Sequence, residues 1–432
     1  MAPFIQVPRK ARGWHAILLF FFAAVLAGQF ALDRLDPKYE RLGVLGQARV
    51  WLFLPLTLLV LRAEKGREPH SKLSSGARLY FSSVVLLHLY LAFTALWTPL
   101  LIENSRPVSN SSEVLGVFLL AATMFLALSL FRSETVDKVR FLFVLLITTA
   151  SVYAVGGMSG QWISDDEARM SAFGGGPNVF VRIVGMGVFG ALYFWLQTRR
   201  VIWLAPVPLL VSGAVLSGSR GGLLALGLSL ALFFIIGFGK MAAMSRGVVA
   251  LSVTLMILVS VPFLSSKILP VWQERFIQLS FEEHYDADRL LLFSAAVQMF
   301  LDNPVWGVGL DGFRRLNDMG GDYSHNLFLQ VSAEGGIVGL VLLLLALTAG
   351  IRAWSRSSPL EEQVIFSLGV FIFLAALLSG SYYDARYMWI FFGILWLLKQ
   401  SSDRTRFPIP ESVAGRPLRR PDSPNTAATT SV

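Results

Sequence analysis

Long apolar runs alternate with short polar segments along most of the chain, and about a dozen runs have the length of membrane-spanning helices. The predicted spans are 14–32, 42–61, 79–102, 114–131, 141–155, 179–197, 201–216, 223–238, 248–264, 327–351, 364–378 and 388–398. Because a single segment crosses a bilayer only as a helix or as part of a closed barrel, runs of this length predict helices. The pattern therefore predicts an all-α, polytopic membrane protein with about 12 transmembrane helices.

Composition agrees with this class, since 54% of the 432 residues are apolar and only 15% are charged. The net charge of +9 is no indication of nucleic-acid binding, because basic residues in a polytopic protein set its topology. The chain has no Cys, which excludes disulfides, Cys-ligated zinc and thiol catalysis.

The positions of Lys and Arg predict the orientation. With the N-terminus in the cytoplasm, more than half of the 37 basic residues lie at cytoplasmic ends of spans, as the positive-inside rule requires. Residues 1–264 then hold nine spans, 265–323 form a large loop with helices on the outer side of the membrane, and 324–400 hold the last three spans. The tail 401–432 is rich in Pro, Ser, Thr and Ala, which predicts a disordered cytoplasmic segment.

Two arginines stand at predicted helix starts on the outer side. Ser219 is a candidate N-cap for a helix that begins near Arg220, and Asp286 and Asp288 are candidate caps for a helix that begins near Arg289. A helix N-terminus combined with a guanidinium favours an anion. The alternatives are a boundary arginine that reaches lipid headgroups at Arg220 and a structural carboxylate pair at Arg289.

A histidine marks a third outward helix start. Ser324 is a candidate cap, which would place His325 in the first turn, where the helix dipole disfavours the protonated imidazole. A neutral imidazole can accept a proton. The alternative is an interfacial histidine that hydrogen-bonds to the loop.

Two arginines and a neutral histidine suit transfer from a diphosphate. Guanidinium groups can bind the departing diphosphate bidentately, and the acceptor hydroxyl needs a group that takes its proton. No metal and no cofactor is predicted for this chemistry. The competing hypothesis uses the adjacent acids Asp165, Asp166 and Glu167 to hold Mg or Mn, although such acids more often form a solvated loop.

The order of these motifs resembles the O-antigen ligase and polymerase superfamily. The resemblance rests on Ser-Arg-Gly-Gly at 219–222, Arg289, the segment 303–309, the run from His325 to Gln330 and the segment 334–340. It implies an inner-membrane glycosyltransferase with a helical fold of the lipid-sugar transferase (GT-C-like) type. Its donor would be a glycan on undecaprenyl diphosphate, and the ligase branch would attach this glycan to lipid A-core at the periplasmic face, without metal and with inversion at the sugar.

Carried over to this chain, the resemblance gives Arg220 and Arg289 the donor diphosphate and makes His325 the residue that orients or deprotonates the acceptor. The secondary candidates are Ser219, Asn326 and Arg386. An O-antigen polymerase has the same plan and remains an alternative. A lipid-linked glycan permease is a further one, but it would need charges inside several spans. The few candidates for such charges, Arg49 and Arg182, lie near span ends, from which a long side chain can reach the membrane interface by snorkelling.

Overall fold

All regular elements in the described part of the chain are helices. The computed structural model describes residues 17–18, 48–64, 72–98, 111–132, 135–160, 169–173, 176–238, 287–317, 321, 323–355, 357–380, 382 and 384–406. The helices are α1 Ala48–Glu64, α2 Ser75–Thr94, α3 Ser111–Phe131, α4 Thr135–Met158, α5 Pro177–Thr198, α6 Val207–Leu216, α7 Arg220–Phe238, α8 Ala287–Asp302, α9 Gly312–Leu316, α10 Leu327–Ile351, α11 Leu360–Ser379 and α12 Arg386–Arg406. The predicted all-α class is confirmed for these residues.

Five of the described helices, α2, α4, α5, α10 and α11, are long and apolar enough to cross a membrane. Shorter apolar stretches coincide with four more predicted spans, at Trp51–Val60, Gly116–Phe131, Val201–Leu216 and Arg220–Ile236. Helix α12 is outside this set, because its last turns carry Lys399, Asp403 and Arg404. The chain is a polytopic membrane protein, and the number of 12 spans stays a prediction.

The predicted spans differ from the helices mainly at their ends. The span 201–216 is broken into a short 3-10 helix, Val201–Leu204, and α6, because Pro206 and Pro208 lack the N–H groups that a continuous helix would use. Helix α12 continues to Arg406, past the predicted start of the tail. Nearly all of span 14–32, and all of 248–264, lie outside the described residues.

Helices α5 and α11 lie at the centre of the bundle. In α5, 89% of the spanning window is buried, and α11 packs against α5, α7 and α12. Small residues permit this close approach: a methyl group at Gly185 of α5 would lie 2.6 Å from Cζ of Phe371 of α11. The bundle therefore brings both ends of α11 into contact with several neighbouring helices.

Helix α10 is kinked at Gly336, where φ is 61° and ψ is −159°. This conformation is essentially restricted to glycine. The backbone groups released by the kink bond to the preceding loop, since Gly309 N donates to Glu334 O (2.9 Å) and Ile337 N donates to Pro304 O (2.8 Å). The loop after α8 is thereby fixed to the first half of α10.

Candidate functional site

The carboxyl end of α11 is the point at which the predicted site segments meet. The helix ends at Ser379 and is followed by Gly380 in an extended conformation. The last carbonyl groups of a helix have no intrahelical partners and carry the negative end of its dipole. The carbonyls of Leu377 and Leu378 can therefore accept hydrogen bonds from cationic and amide side chains of other helices.

Arg289 reaches this helix end from α8. The helix begins at Ala287, so Arg289 lies in its first turn, as the sequence predicted. The guanidinium Nη1 donates to the carbonyl oxygen of Leu378 at 3.5 Å. The two predicted caps of this helix, Asp286 and the side chain of Asp288, lie outside the described residues.

Arg220 is the first residue of α7, and the turn that carries it packs against the same residue of α11. Ser219 caps this helix as predicted, because its Oγ accepts from the amide of Gly222 at 3.3 Å. A methyl group at Gly221 would lie 3.0 Å from Leu378 Cβ and 3.3 Å from Leu378 O. A glycine at this position therefore allows the first turn of α7 to approach the last turn of α11.

The cap of α10 differs from the sequence prediction. Asn326, not Ser324, is the N-cap, since its Oδ1 accepts from the amides of Phe328 (2.9 Å) and Leu329 (3.1 Å). His325 thus precedes the helix instead of lying in its first turn. The prediction was wrong because the asparagine two positions later, Asn326, offers an equally good cap oxygen. The dipole argument for a neutral imidazole, which required the first turn, no longer applies.

The Asn326 cap also connects His325 to the end of α11. Asn326 Nδ2 donates to the carbonyl of Leu377 at 3.1 Å. His325 has a left-handed backbone (φ 58°), and its ring centroid lies 4.3 Å from that of Tyr323. Arg289, the first turn of α7 and the residue after His325 therefore all contact Leu377 or Leu378.

The structure adds Arg182 of α5, to which the sequence analysis gave no role. Its side chain is 2% exposed, so snorkelling to the interface is wrong. Arg182 Nη1 lies 3.0 Å from Asp384 Oδ1, and Nη2 donates to Ser379 O at 2.8 Å. A signal was present in the sequence: Arg182 is the one charged residue of the apolar α5, and such residues are functional candidates by default.

Asn178 is the second addition from α5. Its Oδ1 accepts a hydrogen bond from Ser219 Oγ at 2.7 Å, so it contacts the cap that precedes Arg220. Asn178 and Arg182 are four residues apart and therefore lie on one face of the helix. This face of α5 contacts the start of α7 and the end of α11.

The remaining candidates have other surroundings. Arg386 begins α12 and lies over the ring of Tyr387, with 4.7 Å between Cζ and the ring centroid. Arg314 and Arg315 both bond to the carboxylate of Asp311. The acids 165–167 of the metal hypothesis and much of the loop 265–323 lie outside the described residues.

These features define a class: a polytopic helical membrane protein in which arginines and an asparagine cap from separate helices gather at one helix end. Residues 205–344 match the family model described as O-antigen ligase, so this part of the chain is similar to that family. The matched segment contains Arg220, Arg289 and His325. Among curated proteins, none matches this sequence.

Proposed function

We propose that the protein transfers O-antigen glycan from undecaprenyl diphosphate to lipid A-core at the periplasmic face of the inner membrane. The observation that carries this proposal is the meeting of three segments, bearing Arg220, Arg289 and His325, at the last turn of α11. The family match supports the same chemistry, because O-antigen ligases act on lipid-linked glycan.

The two arginines would bind the donor diphosphate. Arg220 stands at the N-terminus of the 19-residue α7, where main-chain N–H groups and the helix dipole also favour an anion. A guanidinium has five N–H donors, so Arg289 can donate to the Leu378 carbonyl and to phosphate at once. Charge that builds up on the departing diphosphate would be stabilised by these preorganised groups.

His325 would act on the acceptor. In a single displacement, the acceptor hydroxyl oxygen attacks the anomeric carbon, the bond from that carbon to the diphosphate breaks, and the hydroxyl proton passes to the imidazole. The electron pair of the broken bond leaves with the diphosphate, and the sugar configuration inverts. Since permanently charged guanidinium groups supply the electrostatic stabilisation, we expect transfer by the purified protein to persist in EDTA.

Deletion of the gene followed by analysis of both lipid pools tests the assignment. A ligase predicts full-length polymer that accumulates on the lipid diphosphate while lipid A-core stays bare. Lipid A-core that carries a single repeat unit would instead indicate an O-antigen polymerase, which could use the same arginines and histidine. Unchanged pools would contradict both enzymes.

A lipid-linked glycan permease is the second class to be distinguished. Such a protein would need Arg182 to line a path, whereas Arg182 is buried against Asp384 and Ser379. The His325→Ala variant separates the two classes. Transferase action predicts loss of sugar transfer by about 10²–10⁴-fold with donor binding retained, because a general base contributes about that factor. Unaltered transfer in a purified assay would remove His325 from the mechanism.

A further inference from the structure

We propose that Arg182 is a positioning residue: with Asp384 it fixes the carboxyl end of α11, and through that end it aligns Arg289 and the Asn326 cap beside His325. This inference rests on the proposed function, because the aligned residues are those that we propose act in sugar transfer. Arg182 itself is too deeply buried to meet a substrate, so its effect passes through the helix end that it holds.

The first step of the argument is the chemistry of the Arg182 side chain. Its guanidinium spans two partners, with Nη1 at 3.0 Å from Asp384 Oδ1 and Nη2 at 2.8 Å from Ser379 O. Arg182 is 2% exposed and Asp384 is 17% exposed. A buried ion pair contributes little net stability compared with a well-packed apolar pair. The planar guanidinium of Arg182 nevertheless holds Asp384 and the Ser379 carbonyl in a defined relative geometry.

The second step is the position of those partners. Ser379 is the last residue of α11, and Asp384 lies in the connection between α11 and α12. Arg182 therefore ties both sides of the helix end to α5, the most buried of the five candidate spans. The end is tied at the level where Leu377 and Leu378 accept bonds from Asn326 and Arg289.

The third step is the consequence of losing the tie. Without Arg182, the end of α11 would keep its contacts with α7 but would lose its charged link to α5. A displacement of about 1 Å of groups that align a reaction can lower its rate about 10²-fold. We therefore expect a loss of transfer that exceeds any loss of folded protein.

The absence of Cys allows a distance measurement without background labelling. Cysteines at Met158 (46% exposed, last residue of α4) and Leu290 (64% exposed, next to Arg289) would carry spin labels on surface positions. The protein with this labelled pair is the reference. When Arg182→Met is introduced into this reference protein, we expect a broader distribution of distances between the labels and sugar transfer lowered about 10²-fold.

Two further variants complete the experiment. Arg182→Lys keeps the charge beside Asp384 but lacks the fork that reaches Ser379, so we expect intermediate values in both readouts. Arg140→Met is the matched control, because Arg140 bonds to Glu361 near the opposite end of α11. It is expected to leave the distance distribution and the transfer unchanged.

An unchanged distance distribution in both Arg182 variants would overturn the positioning role. Broadened distances with unchanged transfer would overturn its link to the site, and an equal loss of transfer in Arg140→Met would show that any weakening of the bundle suffices. A labelled reference protein that binds the lipid diphosphate but transfers no sugar would contradict the proposed function instead. The distance readout would still decide whether Arg182 positions the start of α8, which carries Arg289.

Discussion

The two ends of α11 bind arginines in different ways. At the carboxyl end, called the arginine end, Arg182 and Arg289 donate to main-chain carbonyls, and Arg182 also pairs with Asp384. At the opposite, glutamate end, Arg140 Nη2 lies 2.9 Å from Glu361 Oε1, which also accepts from Tyr193 OH at 2.9 Å. Both arrangements suit the dipole of α11, with acids at its start and cations at its close.

The difference lies in what happens to the charge. A carboxylate positions an arginine and cancels its charge, as Glu361 does for Arg140 and Asp384 does for Arg182. A main-chain carbonyl, such as that of Leu378 for Arg289, positions a guanidinium through an acceptor that carries no net charge. Arg140 and Arg182 therefore have the character of structural links, whereas the arginine end differs in also holding Arg289 and the start of α7, the groups that we propose bind an anion.

The largest effect is expected from removal of a charge at the arginine end. Arg289→Gln keeps a hydrogen-bond donor near Leu378 but loses the charge, and transfer should fall about 10²–10³-fold, as when a preorganised donor is lost from an active site. The measurement is sugar transfer by purified protein at a fixed donor concentration. Arg314→Gln is the control, because Arg314 lies in the same predicted loop, 265–323, and bonds to Asp311. Equal activity of the two variants would argue against a special role for Arg289.

The kink of α10 at Gly336 allows the stability of the fold to be tested separately from the chemistry of the arginine end. Gly336→Ala should lower stability by about 1–3 kcal/mol, because alanine is strained at this φ and ψ and its methyl group would meet the carbonyl of Val305. Thermal unfolding in detergent measures the change. Gly227→Ala in α7 is the control, since nothing lies within 4 Å of the added methyl group. A Gly336 variant as stable as the Gly227 variant would contradict the role of the kink.

The Asn326 side chain allows capping and alignment to be separated. Asn326→Ala should cost about 1 kcal/mol of stability through loss of the cap, and it should also lower transfer. Asn326→Asp retains a cap oxygen for α10 but cannot donate to Leu377, so stability should stay near that of the wild type while transfer falls. Thermal unfolding and transfer are measured together. Wild-type transfer in the aspartate variant would refute the alignment role.

The smallest effect on function is expected at the glutamate end. Arg140→Met removes the link to Glu361, but the Arg140 side chain is 43% exposed, so the cost should be only about 0.2–1 kcal/mol. Transfer at saturating donor should equal that of the wild type. A loss of transfer without a loss of stability would mean that the two ends of α11 are coupled.

The sequence was sufficient to predict the elements of the arginine end but not their arrangement. Hydropathy gave α10 its observed limits, and cap chemistry identified Ser219 as the residue before α7. Cap chemistry failed at Ser324, because Asn326 offers a competing cap oxygen. Asn326 also donates to Leu377 O, a contact with a residue distant in sequence that no local pattern could indicate.

The role of α11 could not be read from its own sequence. Leu377 and Leu378 contribute main-chain carbonyls, which every residue has, so their side chains give no indication of the site. Arg182 could have been found, since it is a single charge in an apolar helix with Asn178 four residues before it. Its partner Asp384 depends on tertiary packing and was beyond prediction.

The central claim is that Arg220 binds a diphosphate through the planar fork of its guanidinium. The most direct test is sugar transfer by the purified Arg220→Lys variant, measured over a range of donor concentrations. Lysine keeps the positive charge at the start of α7 but cannot donate bidentately, so the account predicts a donor KM raised about tenfold or more. Wild-type kcat and KM in this variant would contradict it.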